Sequence, residues 1–305
     1  MAVSPFLPAE IEAALDGRYT VGPQIAIGGQ GAVFRATRTS RPDGEPANDD
    51  VALKLHLHRT QDSRVQREIA AMHDISNPTL ARMIEYGTCD VAGRRTRYIA
   101  WEFIQGQSLS DRLKSGRLLE SEVLAIGRDV ATAIAEIWSQ RIVHGDIKPS
   151  NIMLRHDGSA VLIDLGAARH LEQFAQRPFQ AVGSFSPEQL RSLGTIGYFS
   201  PEQLRGDKTL SCASDVFSLG VVMLQCLQGW HPTSYNQQAL LNGIRASERR
   251  LAVGMDFLRM LDRMLSARTT QRPSPTELIA YFQRRHQRIE EDFARSARVS
   301  QRAAI

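Results

Sequence analysis

Apolar positions follow two different rhythms along this chain. In the first third they fall in short β-branched and aromatic runs, and Tyr19 to Val21, Ala32 to Ala36, Val51 to Leu57 and Tyr98 to Ile104 each read as a strand. Pro8 to Leu15 predicts a short amphipathic helix stopped by Asp16-Gly17, and Val65, Ile69 and Met72 share one face of a helix over Arg64 to Ile75. Arg38 to Asp50, rich in Pro, Gly, Asn and Asp, reads as a solvent loop, and Gln105-Gly106-Gln107 as a hinge. Beyond it the spacing turns to three and four residues, giving helices over Ser108 to Lys114, Glu120 to Gln140 and Ala213 to Gln228, then shorter ones to about Arg285. The last twenty residues carry charge but few apolar anchors, which predicts a loosely held helix or a tail. Strands first and helices afterwards predict an α+β fold, with a small β lobe packed on a larger α lobe.

Composition narrows the classes. Hydrophobic residues make up 42% and charged residues 23%, ordinary for a folded chain. The net charge of +4 comes from arginines spread along the sequence, whereas a nucleic-acid stripe would cluster them, so no nucleic-acid partner is expected. The densest basic runs, Arg94-Arg95-Thr96-Arg97 and Arg284 to Arg302, read as a loop and a solvated helix face. Cys89, Cys212 and Cys226 form no C-x-x-C pair, so buried small side chains in a reducing, cytoplasmic setting are expected. The longest apolar run, Val216 to Leu227, is too short to span a bilayer, and Met1 to Pro8 lacks a signal-peptide pattern, so no membrane anchor is expected.

The most informative run is His144-Gly145-Asp146-Ile147-Lys148-Pro149-Ser150-Asn151, followed by Asp164-Leu165-Gly166. It sets an acid, a lysine, an amide and a second acid in fixed order on two loops. Phosphoryl transfer needs that set: an acid for the hydroxyl proton, a cation on the moving group, and oxygen ligands for magnesium. The run resembles the catalytic loop and Asp-Phe-Gly element of eukaryotic-type (Hanks-type) serine/threonine protein kinases, in a bacterial-like form. The resemblance covers about residues 19 to 285 and implies a two-lobed kinase-like fold: a small antiparallel β lobe with one main helix over 19–104 and a larger helical lobe over 105–285. An N-terminal extension, 1–18, and a charged tail, 286–305, would flank them.

The resemblance implies roles residue by residue. Asp146 would be the catalytic base, Lys148 the cation on the γ-phosphate, and Asn151 and Asp164 the Mg2+ ligands. Ala26, Gly28 and Gly31 stand in the G-x-G-x-x-G register of the loop that covers the ATP phosphates, with Ala26 in place of the first glycine. Val51-Ala52-Leu53-Lys54 matches the strand whose lysine holds the α- and β-phosphates, with Glu68 as its ion-pair partner. Val33 and Ala52 would sandwich the adenine with Met153 beneath it, and the backbone of Glu102 and Ile104 would meet its edge. Trp101 would close the pocket from the gatekeeper position. His144 is read as packing under the Asp164 loop rather than as a base. Gly145 replaces the arginine that usually receives an activating phosphate, so control by that switch is not expected.

Gly194-Thr195-Ile196-Gly197-Tyr198-Phe199-Ser200-Pro201-Glu202 resembles the substrate-docking end of an activation segment. Thr195 would touch Asp146 and Lys148, and Glu202 would pair with Arg272. The function implied is ATP- and Mg2+-dependent phosphorylation of serine or threonine in a protein substrate, with autophosphorylation. A pseudokinase scaffold and an aminoglycoside-type small-molecule phosphotransferase are the competing readings. One feature stands apart: Phe185-Ser186-Pro187-Glu188-Gln189-Leu190-Arg191 recurs fourteen residues later as Phe199 to Arg205. It reads either as a duplication lodged in a tolerant loop or as two copies competing for one place against Arg272.

Overall fold

The structure, a computed structural model, describes residues 6–27, 31–41, 43–56, 75–165, 169–170, 197–207, 210–229 and 253–303, with backbone alone at 169–170 and 296–303. Two compact units emerge. The first comprises Met1–Gln105 with Asp164–Ala167, and the second Gly106–Ile163 with Ala168–Ile305. Among the described residues the secondary structure is α+β, with the five-stranded sheet in the first unit and every α-helix but the first in the second.

In the first unit, α1 (Pro8–Ala14) is followed by β1 (Tyr19–Ile27), β2 (Gly31–Ser40), β3 (Pro46–His56), β4 (Met83–Val91) and β5 (Arg94–Glu102). They form an antiparallel sheet in the order β1-β2-β3-β5-β4. Alternation along the strands gives the sheet two different faces. One face carries Phe34, Ala36, Val51, Leu53, Leu55, Tyr98 and Ala100, and buries them with Ile11 and Leu15 of the α1 region. The other carries Val33, Ala52, Lys54 and Trp101, because Val33 lies opposite Lys54 and Ala52 opposite Trp101. Phe6, Ile11 and Leu15, from the stretch expected as an N-terminal extension, therefore belong to this core. Pro8 opens α1, Glu10 accepts the Leu7 N–H, and Asp16 and Gly17 end it at φ 56° and 69°. The Val21 N–H then donates to Glu12 Oε1 at 2.6 Å, fixing β1 to the helix.

Several expectations need correction. The loop expected over Arg38 to Asp50 is mostly strand, since β2 runs to Ser40 and β3 starts at Pro46. Cross-strand pairing decides this against composition: Arg38 pairs Asp49 and Arg35 pairs Asp50 across the ladder. The basic run Arg94 to Arg97 is likewise the start of β5, turned back from β4 at Ala92-Gly93. β4 itself was not foreseen. The helix expected over Arg64 to Ile75 falls almost wholly outside the described residues.

In the second unit, β6 (Gly106–Ser108) occupies the expected hinge and pairs with β8 (Ile152–Arg155), which pairs with β9 (Ala160–Leu162). The helices among the described residues are α2 (Leu109–Lys114), α3 (Glu120–Ser139), α4 (Pro201–Arg205), α5 (Cys212–Gln228), α6 (Met255–Met264) and α7 (Pro275–Ala303). The short strands β7 (Ile142–Val143) and β10 (Arg169–His170) pair with each other. α3 and α5 are the buried helices, the latter burying Val216, Leu219, Val222, Met223 and Leu224 completely or nearly so. Of the last twenty residues, those through Ala303 continue α7, the helix of the two expected alternatives. Among the described residues no helix is long and apolar enough to cross a membrane.

Candidate active site

Each unit presents a set of the polar side chains singled out from the sequence. In the first, Lys54 sits in the otherwise apolar stretch Val51 to Leu55 of β3 with its side chain 8% exposed, and its Nζ donates to Asp164 Oδ1 at 2.7 Å. An ammonium so far removed from water needs such a carboxylate. Asp164 takes a left-handed backbone, φ 62°, which costs a non-glycine residue roughly 1–3 kcal/mol and aims its carboxylate at Lys54. Val33 and Ala52 flank Lys54 on the same face and are half-buried, while Trp101 and Ile104 are buried. The Glu102 and Phe103 N–H groups donate to Arg82 O and Asp50 O, which holds this strand end in place. Gly31 lies opposite His56, where a Cβ would run into the Leu55 carbonyl oxygen, and Ala26 lies exposed opposite Val33. Gly28 and Glu68 fall outside the described residues.

The second set is built on the loop from β7 to β8. A single 3₁₀ turn, Pro149–Asn151, brings Asn151 back under Asp146: Asn151 Nδ2 donates to the Asp146 carbonyl at 2.9 Å and to Asp146 Oδ2 at 3.1 Å. Lys148 Nζ donates to the same Oδ2 at 2.8 Å. One carboxylate oxygen is thus held by an amide and an ammonium, fixing the rotamer of Asp146. Both Asn151 donor bonds go to Asp146, leaving its amide oxygen as the acceptor a cation would use. Met153, half-buried, follows on β8 opposite Ser108.

His144 has the packing role expected of it. It is fully buried, its Nδ1 accepts the Asp146 N–H at 3.3 Å, and its Nε2 lies 3.3 Å from the Ile163 carbonyl. Those partners require the proton on Nε2 and use up both nitrogens, so His144 joins the Asp146 loop to the segment entering Asp164.

The sequence did not reveal what anchors this loop. Asp215, in the first turn of α5 and 1% exposed, accepts the His144 N–H through Oδ2 and the Gly145 N–H through Oδ1, both at 2.9 Å. Burial pushes its carboxyl up to about 7, against those two bonds, which favour the charged form. The available signal was a carboxylate beside Ser214 at the head of a largely apolar helix. Gly145 meets Asp215 with φ 76°, a conformation that a glycine takes without strain.

The segment from Gly197 to Arg205 packs on the same loop. Arg272 Nη1 and Nη2 donate to Glu202 Oε1 and Oε2 at 2.6 and 2.9 Å, with side chains 0% and 4% exposed. Burial works to raise the Glu202 carboxyl, but the Arg272 bonds outweigh it and hold it below its ordinary value. Ser214 Oγ donates to Glu202 Oε1 at 2.8 Å, and Gln203 Nε2 donates to the Gly145 carbonyl at 3.1 Å. Tyr198 OH donates to Gln225 Oε1 at 2.7 Å. The pairing of Glu202 with Arg272 was expected; the part played by Gln203 was not. Thr195 and the whole first copy, 185–191, lie outside the described residues.

Comparison with known proteins agrees with this geometry. The family described as "Protein kinase domain" matches residues 19–282. A probable serine/threonine-protein kinase PknB of Bifidobacterium longum is 32% identical over 236 residues, 71% of this chain and 31% of the relative. The serine/threonine-protein kinase PknA of Nostoc sp. is 29% identical over 73% of this chain and 39% of its own length. The serine/threonine-protein kinase max-2 of Caenorhabditis elegans is 26% identical over 87% of this chain and 39% of its own. The chain thus spans between three and four tenths of the length of these relatives.

Proposed function

The chain belongs to the protein kinase domain family, and on that footing we propose that it transfers the γ-phosphoryl group of ATP to serine or threonine hydroxyls of a protein. The observation that carries the reading is the loop in which Lys148 and Asn151 both donate to one oxygen of Asp146. An incoming hydroxyl hydrogen-bonds the Asp146 carboxylate, which orients the oxygen for in-line attack and takes its proton as the O–P bond forms. Lys148, one methylene chain away, spreads positive charge over the transferring group. Lys54 holds the α- and β-phosphates once ATP displaces part of its bond to Asp164.

The donor set fits a magnesium ion: the Asn151 amide oxygen and the Asp164 carboxylate are hard oxygen ligands, and they would hold it. Bound there, it supplies charge neutralisation on the β- and γ-phosphates. Val33, Ala52 and Met153 would enclose the adenine, Glu102 and Ile104 would meet its edge through main-chain groups, and Trp101 would close the pocket behind it. Glu68 would share Lys54, Ala26, Gly28 and Gly31 would line the phosphate loop, and Thr195 would touch Asp146 and Lys148. The three thiols, none in a disulfide, suit the reducing, ATP-rich interior of a cell. The scaffold and small-molecule readings draw no support from the relatives, all named as serine/threonine-protein kinases.

One reaction tests this. With radiolabelled ATP, magnesium and a generic protein acceptor, the wild type should label the acceptor or itself, and Asp146→Ala should be slower by on the order of 10²–10⁴. Equal labelling by the variant refutes the role of Asp146. Labelling of an aminocyclitol but of no protein refutes the protein substrate.

A further inference from the structure

The repeated heptapeptide acquires a physical meaning from the contacts of its second copy. Five side-chain hydrogen bonds seat that copy or organise it: Glu202 with both Arg272 nitrogens, Ser214 with Glu202, Gln203 with the Gly145 carbonyl, and Ser200 Oγ with Gln203 Oε1 at 3.0 Å. Every segment residue in that set has an identical counterpart in the first copy: Ser186 for Ser200, Glu188 for Glu202, Gln189 for Gln203. A further bond, from Ser218 Oγ to the Tyr198 carbonyl at 2.7 Å, uses a main-chain atom that any residue supplies. Pro201 opens α4, and the first copy carries Pro187 at the matching position.

We propose that the Arg272–Gly145 site has a second ligand within its own chain: residues 185–191 seat there in a register shifted by fourteen residues, in exchange with residues 199–205. Lengthening the connection on one side of the seated segment and shortening it on the other changes closure entropy only slowly.

The structure also says which register dominates. Gly206 ends α4 in the left-handed conformation, φ 72°, and its counterpart is Ser192. A non-glycine residue there disfavours the shifted register by roughly 5–30-fold. Tyr198, 8% exposed and bonded to Gln225, is replaced by Ser184, which cannot reach that partner. The second copy therefore prevails, and the first is a reserve occupant. The shifted register is also the less active one on the kinase reading, because Ala181 takes the place of Thr195 and brings no hydroxyl to Asp146 and Lys148.

Thermal melting of the full chain tests the exchange, and it needs no phosphoryl transfer, so failure of the kinase reading would not blur it. Arg272→Ala removes the site for both copies and should lower Tm by on the order of 10 °C. Glu202→Ala alone should lose less than half of that, because Glu188 takes over, whereas E188A/E202A should match Arg272→Ala. Ser192→Gly should raise the Tm of the E202A protein by a few degrees and leave that of E188A/E202A unchanged. An E202A protein that melts with the double variant, or fails to fold, overturns the proposal. So does an S192G change that acts equally in both backgrounds.

Discussion

Asp215 and Gly145 meet at 2.9 Å through a carboxylate oxygen and a main-chain N–H, in a place where the carboxylate is 1% exposed and the glycine backbone is left-handed. With the matching bond to the His144 N–H, one buried side chain sets the path of the loop that presents Asp146.

Asp215→Asn keeps the volume but leaves a single acceptor, so one of the two N–H groups loses its partner. The expected cost is about 1–3 kcal/mol in urea unfolding. Displacement of the loop should slow single-turnover phosphoryl transfer by on the order of 10². A variant with wild-type turnover would show that the anchor does not position Asp146.

Lys54→Met preserves the stem and removes the charge. Because Asp164 is 38% exposed, water can solvate the carboxylate left behind, and stability should change by about 1 kcal/mol or less. Activity should fall far more steeply than stability, with weakened ATP binding seen by calorimetry. Equal ATP affinity in the two proteins would remove Lys54 from the nucleotide site.

A second buried cluster should make the first unit acid-sensitive. Glu85 binds Arg18 at 2.5 Å and Tyr98 at 2.6 Å, with Arg38 at 3.5 Å. Burial acts to raise its carboxyl, but the bonds from Arg18 and Tyr98 overcome that and hold it below the ordinary glutamate value. A lowered folded value means stability that is fully present above about 4.5 and is lost as the pH falls through the folded value. Urea titrations from about pH 6 to pH 3 should show this slope in the wild type and a shallower one in Glu85→Gln. Parallel pH profiles would exclude Glu85 as the source.

Ile11→Ala probes the N-terminal helix. Ile11 is fully buried against the sheet, on the face opposite Lys54. Its truncation should cost about 2–5 kcal/mol in unfolding while leaving the ATP KM of the folded fraction unchanged. A near-neutral effect would mean that α1 is dispensable to the core.

Much of the site was legible because its chemistry is local. Asp146, Lys148 and Asn151 lie within six positions, and one 3₁₀ turn suffices to fold them onto one another. Lys54 was recognisable because a charge in the middle of a Val-Ala-Leu strand needs a reason. The loop reading of Arg38 to Asp50 failed for the opposite cause: Pro, Gly and Asp argued locally for a turn, while ion pairs made across the ladder extended both strands. β4 escaped notice because Met83 to Val91 alternates weakly and gains its register only from β5.

The sequence by itself determined the division into a strand-rich first third and a helical remainder, the order of residues in the Asp146–Asn151 loop, and the identity of the two heptapeptides. These follow from side-chain periodicity and from residues a few positions apart. Only the tertiary structure decided that Asp215 holds the loop across seventy positions, that the expected pair of Glu202 and Arg272 is buried, and that α1 belongs to the sheet's core. Those partners are distant in the chain, and no local preference ranks one buried carboxylate above another. Desolvation does, since a charge or an N–H group removed from water must find its complement wherever packing brings one.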